Sequence, residues 1–460
     1  MEQEPKNNQE QPSESLDREW FREFKDAGGA MEAYDYFEGD KTHRQGQREK
    51  FEAGEIDNPE LDYPKLNLAD LNARDEKLST LKQQIISQEF VGDEKMEAVQ
   101  QVYRWKINEK LAEVRMLKAS ASGDMKRFQR YSEFVYGKPS PEIFEYTIAS
   151  IREKIGQYKI SENEDLKNAL QQLDEALPEV RSDIKQQALP EQEVFEFAKE
   201  KTMKELGHLI VLPAGQDEFE ASDIVSAFEA AMATAKIDGW KVVLNPNAAN
   251  ISASQERKEV VVPEKRKVSR DRISELALHE IGTHALRRSN GERSKLMLLG
   301  LGLDRNRDDE GVTGLREQIL GEKMEDFSGL PGHLAISLAS GVDGKPRAFR
   351  EVYEIMQKYY CVSALADGEN QEDAQKKSRT KAWAISVRTF RGTDCKTPGA
   401  SFNKDILYRE ANRDVWEVVK NNPNEIMRFS VGKYDPANSR HIMILDQLGI
   451  TDKDLEQLKQ

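Results

Sequence analysis

The residues most able to do chemistry sit close together in "LALHEIGTHALRR", where His279, Glu280 and His284 combine two imidazoles with a carboxylate. Neutral imidazole and carboxylate are zinc ligands, and a carboxylate beside a ligand on the same helix is placed to act as a general base. The spacing is unusual. In the H-E-x-x-H pattern the histidines are four positions apart and return to one helix face. Here the step is five, which on a regular α-helix leaves them about 140° apart. For both to reach one ion the helix must be locally unwound, as in a π-type turn, which recurs at functional sites. Gly282, inside the interval, is the residue best suited to a distorted backbone. A histidine pair without a metal is the competing reading.

A two-histidine site needs a third ligand and an open position. Downstream, "DRNRDDEGVTGLREQILGEKM" reads as a helix through Val312, Leu315 and Ile319, with Asp309 as its cap and Glu310 in its first turn. Glu310 is either a ligand offered from this second helix or ordinary charge complementarity at a helix N-terminus.

The blocks "HEIGTHALRRSNG", "DDEGVTGLREQI" and "VRTFRGTDCKTPGASFNKDILY", with "YSEFVYGKPSPEIF" earlier, resemble the microtubule-associated tyrosine carboxypeptidases and their bacterial relatives with a Q-E-G-L-A motif, over about residues 60–445. The resemblance implies a zincin-like zinc metallopeptidase that removes a C-terminal aromatic residue, Tyr or Phe. It implies His279, His284 and Glu310 as Zn2+ ligands and Glu280 as the catalytic carboxylate. One block departs from the pattern: the chain reads Asp309-Glu310-Gly311-Val312-Thr313 where relatives read Q-E-G-L-A, keeping the glutamate and glycine.

Cleavage at a chain end requires a receptor for the substrate's α-carboxylate, a task suited to guanidinium. Arg388 and Arg391 in "VRTFRG" and Lys404 in "SFNKD" are the substrate-binding candidates, and Tyr408 is a candidate donor to the oxyanion. Asp394 and Asp405 orient these groups or close turns. His333, at an apolar helix start, reads as structural. Two alternatives remain at this level: a zinc endopeptidase of the same chemistry, and a non-catalytic, zinc-stabilised interaction protein.

The elements that must hold these groups read as a mainly helical α+β fold, with a small sheet beside the motif helix and an N-terminal helical subdomain. Residues 1–60 are poor in aliphatics and are expected to be a largely disordered acidic segment, apart from "WFREF", which reads as a short helix docked on the body. Residues 61–207 form the helical subdomain. Met96, Val99, Val102, Tyr103, Ile107, Leu111, Val114 and Leu117 recur at helical steps, and Ser140-Pro141 opens a further helix. Residues 208–460 form the catalytic domain. There "HLIVLP", "WKVVLNP" and "KEVVVPEKRKVS" read as strands, the last two joined as a hairpin. Ser269 caps the motif helix, Ile273, Leu276, Ala277 and Ile281 are its buried stripe, and Ser289–Gly291 is its stop.

The net charge of −15 makes nucleic acid and anionic membranes poor partners. It also disfavours an acidic peptide unless the cleft is locally basic. There is no apolar run long enough to span a bilayer and no apolar leader, so a cytoplasmic protein is expected. Cys361 and Cys395 read as unpaired thiols. The partner that remains is a peptide or protein C-terminus.

Overall fold

The computed structural model describes residues 15–158, 162–180, 188–246, 248, 250–304, 307–322 and 324–458. Helices dominate, and five short strands make up two small sheets. The span 61–207 contains helices Leu68–Ile86, Glu94–Ser122, Met125–Tyr136, Pro141–Tyr158, Glu164–Ala176 and Gln192–Leu206. The helix Glu94–Ser122 buries the apolar positions named above, Met96 only partly. Ser140 Oγ accepts from Ile143 N at 3.4 Å, as its cap position requires.

The N-terminal segment departs from the expectation. Residues 1–14 lie outside the described residues, but from Ser15 onward the chain is structured, with helices Arg18–Asp26, Ala33–Tyr36 and Lys41–Glu52. The reason is aromatic rather than aliphatic. Trp20, Phe21 and Phe24 are buried, with Trp20 and Phe24 set edge-on against Tyr103. Large rings supply burial that a low aliphatic count hides. Asp17 completes the docking: its carboxylate accepts from Tyr103 OH at 2.9 Å and from the backbone N–H groups of Met297 and Leu298 at 2.7 and 2.9 Å.

The strands are β1 (Glu218–Glu220), β2 (Lys241–Asn245), β3 (Ser252–Ser254), β4 (Glu259–Pro263) and β5 (Lys267–Ser269). β2 and β4 are parallel, with Val242 opposite Val260, and β3 pairs antiparallel on the other side of β4. The hairpin reading is therefore wrong: the connection carries a strand of its own and returns in the same direction. "HLIVLP" is not a strand either. Gly207–Leu209 is a 3-10 turn that buries Leu209 beneath the motif helix. Val260 and Val262 of β4 pack with Ile273, Leu276 and Ile281 in one cluster, fixing the helix on the sheet.

The motif helix comprises the α-helix Arg270–Leu276, the π-helix Ala277–Ala285 and the α-helix Leu286–Arg293. Ser269 Oγ caps it, accepting from Arg272 N. It does not stop at Ser289–Gly291. A Cβ on Gly291 would lie 2.3 Å from Gly300 N, so this glycine serves a close backbone approach within the helix and ends nothing. Cys361 and Cys395 are both unpaired. Among the described residues no helix is long and apolar enough to cross a membrane.

Candidate metal centre

The π-helix spans the interval between the two histidines, so the five-residue step brings both rings to one side. Their centroids lie 4.9 Å apart. What holds the unwound turn is not Gly282. It has no positive φ, and a Cβ there would only touch Leu278 Cδ1 at 3.4 Å. The supports are hydrogen bonds. Thr283 Oγ1 donates to Leu278 O at 2.9 Å, and buried Arg316 donates through Nη1 to Gly282 O at 2.8 Å and to Thr283 Oγ1 at 3.1 Å. Arg316 Nη2 also donates to Ser430 Oγ at 2.8 Å. Burial pulls this guanidinium down to about 10.

Arg316 belongs to the helix Arg307–Leu320, which also carries Glu310. Asp309 does not cap this helix, which begins before it. Its carboxylate turns instead to His284 Nδ1 at 3.1 Å, to Arg287 Nη1 at 2.7 Å and to Lys433 Nζ. Burial would raise this carboxyl, but Lys433, Arg287 and His284 outweigh it and hold it well below the usual carboxylate range. Glu317, the next residue along this helix, accepts from His279 Nδ1 at 2.9 Å. Each histidine thus has a carboxylate on Nδ1, an arrangement that fixes the tautomer and leaves Nε2 as the coordinating atom.

The potential ligand atoms of His279, His284 and Glu310 all lie within 4.8 Å of one another. Burial lowers the His279 pKa, but the carboxylates of Glu280, Glu317 and Glu310 more than offset this and bring it to about 9. The same crowding of negative charge favours a divalent cation. Glu280 is 4 % exposed, its Oε1 lies 3.9 Å from His279 Nε2, and its Oε2 is buried without a hydrogen-bond partner. An orphaned buried carboxylate oxygen is costly in a finished core and ordinary in a site that handles a ligand. Two imidazoles, one carboxylate and this unsatisfied oxygen fit a zinc centre with an adjacent base.

These groups open on a cavity of about 1190 Å³, which Arg388, Arg391, Lys404 and Tyr408 also line. The structure thus gathers every candidate residue around one space, though not in equal states. Arg388 is already paired with Asp405 at 2.7 Å, while Asp394 closes a turn by accepting from Thr397. Lys404 Nζ lies 3.3 Å from Glu310 Oε1. Burial opposes its charge, but Tyr408, Glu310 and Glu32 outweigh burial and hold its pKa well above the ordinary value. Burial, followed by the charge of Glu310, pushes the Tyr408 phenol up, which keeps it a donor. His333 is fully buried, 3.2 Å from Glu410 Oε1, and is not among the residues lining this cavity.

Residues 183–326 match the family model described as microtubule-associated tyrosine carboxypeptidase. The match supports a carboxypeptidase. It takes in the strands, the motif helix and the helix bearing Glu310, a shorter span than the motif resemblance. Arg388, Arg391, Lys404 and Tyr408 fall outside it. No curated protein matches the chain. Sequence reasoning missed Arg316, Glu317 and the histidine-bonding role of Asp309. Their only signal was a helical period that sets Asp309, Glu310, Arg316 and Glu317 toward a common neighbour.

Proposed function

We propose that the protein is a zinc-dependent metallocarboxypeptidase with a zincin-like core that releases a C-terminal Tyr or Phe from a peptide or protein. The observation that carries this reading is the convergence of His279, His284 and Glu310 beside the unpartnered Oε2 of Glu280. His279, His284 and Glu310 would hold the ion, oriented by Glu317 and Asp309. Bound zinc supplies an acidified water and polarisation of the scissile carbonyl.

The remaining steps belong to the chain. Glu280 takes a proton on its free oxygen and passes it to the leaving amine, a transfer worth typically about 10²–10⁴-fold in rate. Tyr408, kept protonated, donates toward the carbonyl oxygen. Arg391 and Lys404, with Arg388 behind them against Asp405, form the cationic end that receives the substrate's α-carboxylate. β3 is an edge strand of its sheet and lines the same cavity, so an extended peptide can lie along it. Basic side chains outnumber carboxylates along the cavity wall. The cleft therefore differs in sign from the whole chain, and an acidic C-terminal tail is an acceptable substrate. Two free thiols support a cytoplasmic setting.

The test compares a peptide ending in free Tyr with its C-terminal amide, with and without a chelator. Release of Tyr from the acid only, lost on chelation and in Glu280→Gln, is expected. Equal cleavage of acid and amide would mean an endopeptidase, and full activity in Glu280→Gln would remove Glu280 as the base.

A further inference from the structure

The N-terminal helices lie outside the span matched to the family, yet one of their residues stands among the cations of the cleft. The ring of Tyr34 meets two of them: the guanidinium carbon of Arg391 is 4.2 Å from the ring centroid, and Lys404 Nζ is 5.0 Å away. Tyr34 lines the same cavity as His279 and Glu310. We propose that Tyr34 is a positioning residue of the active site, setting Arg391 and Lys404 to receive the substrate's terminal carboxylate. This rests on the carboxypeptidase reading above.

The ring is held there by construction. Lys110 and Glu113, on the helix Glu94–Ser122, are 3 % and 0 % exposed and pair at 2.8 Å. Each spends a further valence on the segment carrying Tyr34: Lys110 Nζ donates to Met31 O at 2.8 Å, and Glu113 Oε2 accepts from Ala33 N at 2.9 Å. A buried ion pair is a poor source of stability but a good one of fixed geometry. On the other side of Tyr34, Phe37 packs edge-on against Phe402 at 5.4 Å, two residues before Lys404. The segment is thus pinned on both sides of Tyr34, once to the helical subdomain and once to the loop that bears Lys404.

The chemistry explains the need. Lys404 lies close enough to Glu310 to pair with it fully, and a lysine neutralised in this way is lost to the substrate. The face of an aromatic ring attracts a cation without neutralising it, and attracts guanidinium equally well. Tyr34 therefore holds two cations side by side while leaving their charge for a carboxylate.

The experiment measures binding in the Glu280→Gln protein, loaded with zinc, of a labelled peptide ending in free Tyr and of its amide. Tyr34→Leu keeps most of the volume and removes the ring face; Tyr34→Phe keeps the ring. Tyr34→Leu is expected to weaken the free acid about tenfold and leave the amide within about threefold, and Tyr34→Phe to restore the preference. Thermal melting confirms that each variant is folded. Equal loss for acid and amide in Tyr34→Leu, an unchanged ratio, or no acid preference in the Glu280→Gln parent overturns the proposal. Hydrolysis by the wild-type protein is scored separately. If the acid preference depends on Tyr34 but no Tyr is ever released, the catalytic reading fails and the role of Tyr34 stands.

Discussion

Replacing Arg316 by Met tests whether the π-helix is what assembles the metal centre. The change keeps the apolar stem and removes three charge-assisted hydrogen bonds, to Gly282 O, Thr283 Oγ1 and Ser430 Oγ. Two of these acceptors are hydroxyls that can turn to other partners, but Gly282 O is a main-chain carbonyl inside a buried helix. Each lost bond to the charged group costs about 1.5–3 kcal/mol. Relief from burying a guanidinium offsets part of this. A net destabilisation of about 2–4 kcal/mol is expected in urea unfolding. The more telling effect is on zinc. If the turn relaxes toward a regular α-helix, the histidines diverge by about 140°, and affinity should fall by at least about 10- to 100-fold, the loss usual when a ligand's support is removed. Competition with a chromophoric chelator measures this. Tyr103→Phe is the control, because it removes a donor to buried Asp17, and neither residue lines the cavity. It should destabilise the fold and leave zinc affinity unchanged. Equal zinc affinity in the two folded variants would refute the claim that Arg316 holds the turn.

Glu317→Ala should leave the fold intact and lower zinc affinity about 10- to 100-fold, since His279 loses its Nδ1 partner; unchanged affinity in the same titration counts against that role. Gly311→Ala should destabilise by about 1–3 kcal/mol, because its Cβ would lie 2.6 Å from Ala411 O, whereas Gly282→Ala should melt close to wild type. Asp35 is raised from 3.8 to about 7 by burial first and then by Glu32 and Glu38, against Arg257 and Lys65. Its folded pKa exceeds its unfolded one, so the stability it contributes is full below the unfolded value and lost as pH rises through about 7. The difference between wild type and Asp35→Asn in urea midpoint should therefore change across that window and flatten outside it.

What could be read in advance depended on how local its cause was. The five-residue interval at His279 and His284 forces a departure from α geometry, and the chain contains one. The reason offered for it, glycine freedom at Gly282, was local too, and it was the wrong one. The turn is held by Arg316, thirty-four positions from the carbonyl it bonds. Gly291 looked like a helix stop because nothing nearby in sequence announces that Gly300 will pass against it. The parallel pairing of β2 with β4 was likewise invisible, since alternation and turn residues state that a strand exists and not which way its neighbour runs. Average composition concealed the packing of residues 15–60, where a few rings rather than many aliphatics supply the buried surface.

The contact between Phe37 and Phe402 also has a consequence for how the chain is made. The two rings are separated by most of the sequence, and the cavity wall they brace includes residues from Tyr34 to Lys433. At an ordinary elongation rate the ribosome takes roughly 20–80 s to travel between those two positions. Through that interval Phe37 lacks Phe402, and Asp17 lacks the backbone of Met297 for most of it. Phe37 therefore waits for one of its partners until late in synthesis, and such long-range closure is slow even once the chain is complete. The cavity wall that these rings brace is therefore complete only after nearly the whole chain has left the ribosome.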